Sequence, residues 1–564
     1  MLGSLFVLTS ALSARLALEA VGVERFSGLV GLVAAWAMLS LLVKRAHDLG
    51  RGAPWLAWML IPFFGPLWVL PQLVLRRGDA EANRFGVRID REAIDYLHLD
   101  VLPPGRAVIV NDVTGLNPIA VKEVVRPSSI DELAHFVAQT RDPICVGGGR
   151  FSMGGQTASP GCVHVDMRGL NRVLAFSPTA RTVRVEAGIR WCDLQRFLDP
   201  HELSVKIMQT YANFTVGGSL SVNVHGRYIG LGPLILSVRA IRLLTADGSL
   251  HEATPARNSD LFHGAIGGYG ALGIIVEAEL ELADNCRVSR HSQVMARTEY
   301  LDHFVGEVRD SGDAVFHNAD LYPPHFERLR SVTYRRTDAP VTVHHRLHPI
   351  RLAYPLERYF YWAFSETPFG KWRRERVIEP LLMRGRRVMW RNFEASYDVR
   401  ELEPDARTRQ TYVLQEYFVP IATFDEFVPR MGEIFRRHGA NVINVSVRHA
   451  FADTGSMLAW ARTEVFAFVV YYKQGVDAAA RGQVAVWTRE LIDLAVSLKG
   501  AYYLPYQIHA TFEQFARAYP RYGELFALKR AHDPHYRFRN SLWDAYYVGH
   551  EGEEAAVAQN GEER

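Results

Sequence analysis

Cysteine is scarce in this chain, and the few present have no chemical spacing. Cys145, Cys162, Cys192 and Cys286 form no C-x-x-C pair and have no histidine at zinc-ligand distance, so a structural metal is disfavoured and reduced thiols in a reducing compartment are expected. No G-x-x-x-x-G-K-[ST] loop occurs, which removes support for phosphoryl transfer. The glycine spacing is also wrong for a Rossmann domain, where one glycine turn opens a helix and an acidic residue follows some 20 residues on, so a nicotinamide site is disfavoured. Excess charge is missing as well: the net value is +3, and nothing in it demands nucleic acid. With 48% hydrophobic and 22% charged residues over 564 positions, the chain has ample material for two or three cored domains.

Long apolar runs are present only near the N-terminus. Residues 29–43 and 55–75 carry no charge, and the second is long enough to cross a bilayer at about 1.5 Å per residue. Residues 1–23 are apolar apart from Arg15 and Glu19, which makes a third span possible. A cleaved secretory signal is not expected, because the start is not basic and there are several apolar stretches. Between the better spans lies KRAHDLGRGAPW, and the region closes on NRFG at Asn83 to Gly86. These strings resemble a small bacterial inner-membrane family of unknown function, which implies a membrane anchor over residues 1–88. Lys44, Arg45 and Arg51 precede the last span and Arg76, Arg77 and Arg84 follow it, so positive charge does not orient it. No twin-arginine signal is present, and the catalytic part is expected on the cytoplasmic face of the inner membrane.

From Ile119 the sequence alternates apolar strands with amphipathic helices. Ile119–Val125 reads as a strand, Ser129 and Asp131 open a helix to Gln139, and Pro143–Val146 reads as a second strand. It runs into GGGRFSMGGQ at Gly147 to Gln156, where missing side chains let backbone N–H groups converge on an anion. Two further glycine clusters follow in order, FTVGGSLSVNVHGR at Phe214 to Arg227 and GGYGALGIIVEAEL at Gly267 to Leu280. Between them lies a strand and turn, SVRAIRLLTADGSL. Three glycine clusters beside apolar strands are what a fold needs to approach a long dinucleotide at several points.

Ordered in this way, residues 118–548 resemble the FAD-linked oxidases of the vanillyl-alcohol oxidase and p-cresol methylhydroxylase type, with most likeness to decaprenylphosphoryl-ribose 2′-epimerase flavin subunits and to aldonolactone and alditol oxidases. The resemblance implies an α+β fold: a two-part FAD-binding domain over 118–283, an antiparallel-sheet cap over 284–500, a segment returning to the flavin over 501–548 and a disordered tail. It implies cofactor contacts at Gly147, Gly148, Gly149, Arg150, Phe151, Ser152, Met153, Gly154, Gly155, Gly217, Gly218, Ser221, Asn223, His225, Gly226, Gly273 and Ile275. Many relatives anchor the flavin to a histidine where Phe151 stands here, so noncovalent FAD is expected, with a thiol of Cys162 or Cys192 as the alternative anchor.

The catalytic candidates are Arg448, Arg227, Tyr506 and Gln507. NVINVSVRHAFAD at Asn441 to Asp453 alternates, placing Asn444, Ser446 and Arg448 on one face. The lactone and alditol oxidases carry an E-x-R pair there; Ser446 replaces the glutamate and Arg448 keeps the arginine. Arg227 in VNVHGR is the candidate cation for a reduced flavin. The closing segment, AYYLPYQIHA followed by DPHYRFRN, has Tyr506 and Gln507 near the place of a family lysine. Tyrosine can position a hydroxyl or act as acid or base, and glutamine can only hydrogen-bond. Arg351 to Arg391 interleaves aromatics with arginines, which suits either an anionic membrane surface or a helical hairpin packed on the cap.

The implied reaction is oxidation of a CH–OH group of a sugar-like, lactone or lipid-linked sugar substrate, as in D-arabinono-1,4-lactone oxidase, with electrons passed to oxygen or to a membrane quinone. Two other readings stay open: reduction of a carbon–carbon double bond, and a flavin-bearing membrane scaffold without turnover.

Overall fold

The computed structural model describes residues 108–348, 369–396 and 409–550, with a few isolated positions before them. The chain divides into two compact units, Met1–Leu97 and His98–Arg564. In the first, Ala46, Leu56 and Val69 are buried with Leu42 and Val43 against them. Among the described residues no helix is long and apolar enough to cross a membrane. The apolar runs at 29–43 and 55–75 lie almost wholly outside the described residues.

The second unit mixes helix and sheet, in keeping with an α+β class. It begins with a parallel sheet in the order Glu123–Val125, Val163–Asp166, Ile144–Gly147. The expected strand over 119–125 is two strands: Ile119–Val121 pairs antiparallel with Val108–Val110, and the chain changes sheet at Lys122. The helix Ile130–Gln139 starts where its cap predicts, with the Ser129 side chain accepting the Glu132 N–H at 3.1 Å. Its apolar side buries Leu133 and Val137.

Next comes a sheet in the order Leu250–Ala253, Val238–Leu244, Ile274–Asp284, Thr182–Glu186, Val173–Ser177, with Leu203–Val205 paired to the far end of Ile274–Asp284. The long strand Ile274–Asp284 is buried over most of its length, which explains its near-continuous apolar sequence. Residues 287–502 then build one antiparallel sheet of eight strands: Val388–Trp390, Arg287–Ala296, Arg328–Arg336, Ala314–Leu321, Val442–Ala450, Val465–Gly475, Gln410–Pro420, Ala501–Tyr502. Helices Phe424–Arg437 and Ala478–Ser497 cover one side, burying Phe427, Met431, Trp487 and Leu491.

The D-P-x-x-x-F-x-N turn ties the C-terminal segment back to the first sheet. Asp533 accepts the N–H groups of Arg537 and Phe538 at 2.8 Å each, and Phe538 bridges to Ile144. Lys529, fully buried, donates to Asp533 and to the carbonyls of Ala271 and Phe538. Asn540 reaches the Tyr269 carbonyl at 2.8 Å and caps the last helix, Ser541–Tyr546. Asn540 therefore closes the chain onto its third glycine segment.

One expectation is corrected here. Cys145 and Cys162 are disulfide-bonded, with Cα atoms 6.1 Å apart, while Cys192 and Cys286 form no disulfide. The parallel pairing of Ile144–Gly147 with Val163–Asp166 brings the two cysteines together, although sequence spacing gave no sign of it. Among the described residues no cluster of His, Cys, Asp and Glu could hold a metal ion.

Burial pushes His164 and His317 down to about 3, so both are neutral in the folded protein at ordinary pH. Below about pH 6.5 the unfolded chain takes up protons that the folded one refuses. Stability is therefore complete above that pH and falls as the pH drops toward 3, by roughly 1.4 kcal/mol per pH unit for each histidine. Urea unfolding between pH 7 and 4.5 checks this: the wild-type slope with pH should flatten by about one proton in His317→Asn.

Candidate functional site

The three glycine segments converge on one cavity of about 880 Å³, lined by Gly148, Gly149, Gly217, Gly218, Gly270 and Gly273 along one part. Gly270 has φ +73 and open space where a Cβ would point, and Gly273, at φ +149, has no room for one beside the Leu244 carbonyl. A side chain at either position would strain the backbone. Arg150, Phe151, Ser152, Met153, Ser221, His225 and Ile275 also line the cavity.

Arg150 is the most telling of these. Its side chain is 3% exposed, and its Nε and one terminal nitrogen have no hydrogen-bond partner. Burial and the nearby Arg168 push its pKa down to about 10, against the pull of Asp166. A buried guanidinium with idle donors beside bare glycine backbone fits a pyrophosphate, which would supply both the missing acceptors and the missing charge. Phe151, at the place of the anchoring histidine, stacks on Phe214 with ring centres 4.4 Å apart and meets Tyr211 edge-on.

Six of the residues expected from sequence do not line the cavity. Gly147 backs onto His164, whose ring would lie 2.6 Å from a Cβ there. Gly154 packs under the Tyr506 carbonyl, Gly155 donates its N–H to Asp112, and Gly226 faces the Met208 carbonyl. Asn223 bonds Asp453, Ser456 and the Ile235 N–H, and Gln507 donates to the Met153 carbonyl. All six pack against neighbouring backbone or side chains outside the cavity lining.

Arg227, Arg448 and Tyr506 do face the cavity, and around them stands a carboxylate that sequence reasoning missed. Glu416, in the strand Gln410–Pro420, accepts from His225 Nε2 at 2.6 Å and from the Tyr506 hydroxyl. Burial alone would raise its pKa, but His225, Arg448 and Tyr506 outweigh burial and hold it below the usual carboxylate range. Burial and Glu416 lift the Tyr506 phenol well above its ordinary value. Burial lowers Arg448, which Glu416 draws back only in part, and its Nε has no hydrogen-bond partner. The rings of Trp460 and Phe418 stand 5.0 and 5.6 Å from His225 and keep the cluster dry.

Cross-strand register explains this placement. Glu416 lies opposite Val469, Val469 opposite Ser446, and Ser446 opposite Asp320, a single row that runs along the cavity wall. Ser446 thus shares a row with the carboxylate, two strands and about 10 Å away.

Arg227 is differently occupied. It pairs with Glu394 at 2.7 Å, and burial, which would lower its pKa, is outweighed by Glu394 and Tyr334. Its charge is already matched within the protein. Beyond it the wall is a polar lattice: Asn318 and Asn444 both donate to Asp320, and Arg374 donates to Asn444 Oδ1 at 2.9 Å. Each of these side chains also borders the cavity.

Residues 121–254 match the FAD binding domain family, and residues 1–87 match the family described as protein of unknown function (DUF805). Among curated proteins, alditol oxidase of Streptomyces sp. is 36% identical over 172 residues, 30% of this chain and 41% of the relative. L-gulonolactone oxidase of Bos taurus is 28% identical over 218 residues, covering 38% of this chain and 48% of its own length. Decaprenylphosphoryl-beta-D-ribose oxidase of Mycolicibacterium smegmatis is 36% identical over 144 residues, 25% of this chain and 31% of the relative. The chain spans less than half the length of each of these relatives. The glycine-walled cavity, the idle Arg150 and these matches agree: residues 121–254 are similar to the FAD binding domain family, and FAD is the cofactor.

Proposed function

We propose that this protein is an FAD-dependent oxidoreductase that removes a hydride from a CH–OH carbon of a sugar-like substrate. A polyol, a sugar lactone or a lipid-linked sugar carries the hydroxyl pattern that the Asn318, Asp320 and Asn444 lattice suits, because adjacent hydroxyls need alternating donors and acceptors at fixed spacing. The observation that carries the reading is the ionised Glu416, bonded to His225 and Tyr506, in the same cavity as the glycine wall. It also speaks against a scaffold without turnover, since an ionised carboxylate bonded to a cavity-facing phenol gives a substrate hydroxyl proton a path and an acceptor.

FAD, when bound, supplies the two-electron acceptor for the C–H hydride. The protein's own residues handle the proton. Tyr506 receives the substrate hydroxyl at its phenol oxygen and passes its own proton to Glu416 Oε1, so the hydroxyl proton leaves as the C–H bond opens. His225 holds Glu416 Oε2 and fixes the direction of the carboxylate. Arg448 places positive charge beside the same pair and favours the anionic form that must accept. Arg150 holds the cofactor's pyrophosphate, and Phe151, which offers no nucleophile, leaves the flavin noncovalently bound.

Residues 1–88 form the membrane attachment in this reading, through two or three apolar helices, and the electrons pass to oxygen or to a membrane quinone. The Cys145–Cys162 bond favours the oxidising side of that membrane over the cytoplasmic side expected from sequence, because cytosolic thiols are kept reduced.

Four outcomes are expected. Acid precipitation of the purified protein should leave its yellow colour in the supernatant; colour in the pellet refutes noncovalent binding. Arg150→Met should weaken FAD binding by roughly 10- to 100-fold in a titration of apoprotein, the value of one charge-assisted bond to a phosphate. Under anaerobic stopped flow, a panel of polyols, sugar lactones and polyprenyl-phosphate sugars should contain one that bleaches the flavin. Glu416→Gln should slow that bleaching by about 10² to 10⁴ with flavin content unchanged. Bleaching by NADPH alone would favour the double-bond reductase.

A further inference from the structure

The segment Gly370–Arg373, Arg374–Ile378 and Glu379–Leu382 is one continuous helix with a π-helical middle, and its two sides differ sharply. Inward, Arg374, Ile378, Glu379 and Met383 border the cavity described above. Outward it presents bare apolar surface: Phe369 is 81% exposed, Trp372 57%, Leu381 56% and Leu382 60%. Monomeric proteins rarely leave such a run of large apolar side chains uncovered. Charge accompanies it: Arg376, Arg384 and Arg386 are exposed, and Arg387 is exposed while it also borders the cavity.

The nearby carboxylates face away from solvent. Glu375 is paired with Arg328, with Arg376 Nε a further 3.6 Å contact, and Glu379 is bonded to Tyr322 at 2.6 Å and Arg330 at 3.1 Å. The outer face is therefore apolar and cationic together. A second protein surface would need matching carboxylates set among apolar pockets. A bilayer with anionic headgroups offers acyl chain and negative charge in the required order, at depths matching aromatic and leucine side chains on one side and arginines around them.

We propose that this helix seats on the surface of an anionic bilayer, with Phe369, Trp372, Leu381 and Leu382 in the headgroup and acyl boundary and the four arginines among the headgroups. Leu382 belongs both to the exposed face and to the cavity lining. The seated helix therefore puts one edge of the cavity at the lipid, where an amphiphilic substrate or a quinone enters without crossing water. The seating rests on the exposed face alone and stands whether or not the proposed chemistry does.

The test uses the full flavin-loaded chain in nanodiscs containing phosphatidylglycerol, with a nitroxide on Leu381→Cys and, separately, on Val377→Cys. Power-saturation measurements compare collision with oxygen, which concentrates in lipid, and with a water-soluble nickel chelate. Seating predicts a several-fold higher oxygen-to-nickel ratio at both labels than at a control label on Val486→Cys, an exposed position of the helix Ala478–Ser497. The ratio should fall toward the control value in discs of phosphatidylcholine alone, and again on anionic discs when Arg384→Glu and Arg386→Glu are combined. Labels freely reached by nickel overturn the proposal. Labels shielded from both reagents overturn it too, because the face is then covered by residues 1–97 or by a second copy. Unchanged flavin absorbance certifies that each labelled variant is folded, and substrate bleaching, scored separately, reports on the chemistry.

Discussion

A single buried carboxylate organises one part of the cavity in this molecule. Glu416 comes from the eight-stranded sheet, His225 from the second glycine segment and Tyr506 from the C-terminal return, and the three meet in one hydrogen-bonded cluster. An ion so deep is costly unless its partners satisfy it, and breaking a buried pair typically costs about 3–5 kcal/mol. The cluster thus fixes how three distant stretches of chain approach one another. In the proposed chemistry the same constraint keeps Glu416 unprotonated, so that it stands open to a proton handed over by Tyr506. His225 and Arg448 keep it charged, and the Tyr506 hydroxyl donates to its other oxygen.

The glycine architecture was legible because it is local. The first and third glycine clusters adjoin the strands Ile144–Gly147 and Ile274–Asp284, the second lies in the helix Val216–Ser221, and their order along the chain survives into the cavity wall. The alternation of Asn444, Ser446 and Arg448 was legible for the same reason, since a period of two is set within one strand and the structure keeps all three at the cavity. Glu416 was not legible. Its strand, Gln410–Pro420, is buried on most positions, so its sequence carries little period. Its neighbour in space is the strand Val465–Gly475, which in turn lies between it and Val442–Ala450. Only that order reveals that Glu416 stands in the row of Ser446. The replacement of a glutamate by Ser446 looked like loss of a catalytic group, whereas the sheet supplies a carboxylate from two strands away.

The same contrast holds for residues that were singled out and then found bracing. Asn223 and Gln507 are polar, close in sequence to cavity residues, and fully engaged with backbone or side-chain partners. Sequence proximity brought them forward, and the direction of the side chain sets them aside. Arg227 is an intermediate case: it faces the cavity, but Glu394 neutralises it. Arg150, by contrast, has no nearer purpose for its idle nitrogens than an incoming anion. The disulfide was invisible for a topological reason, since the two cysteines meet only because parallel strands pair across an intervening glycine loop.

Burial and charge together give the molecule a direction. The glycine wall and Arg150 line one part of the cavity, Glu416 and Tyr506 another, and Asp320 continues the strand row of Glu416 with Asn444 bonded to it. At its margin Leu382 is both cavity wall and exposed surface. A hydroxyl-rich headgroup can bond to the lattice while an attached apolar chain stays against the helix that carries Leu382. An enzyme for free polyols has no physical need for that outer apolar face. The exposed aromatic and leucine side chains therefore weigh toward a substrate or electron acceptor that lives in a bilayer, and toward a cavity entered from its side.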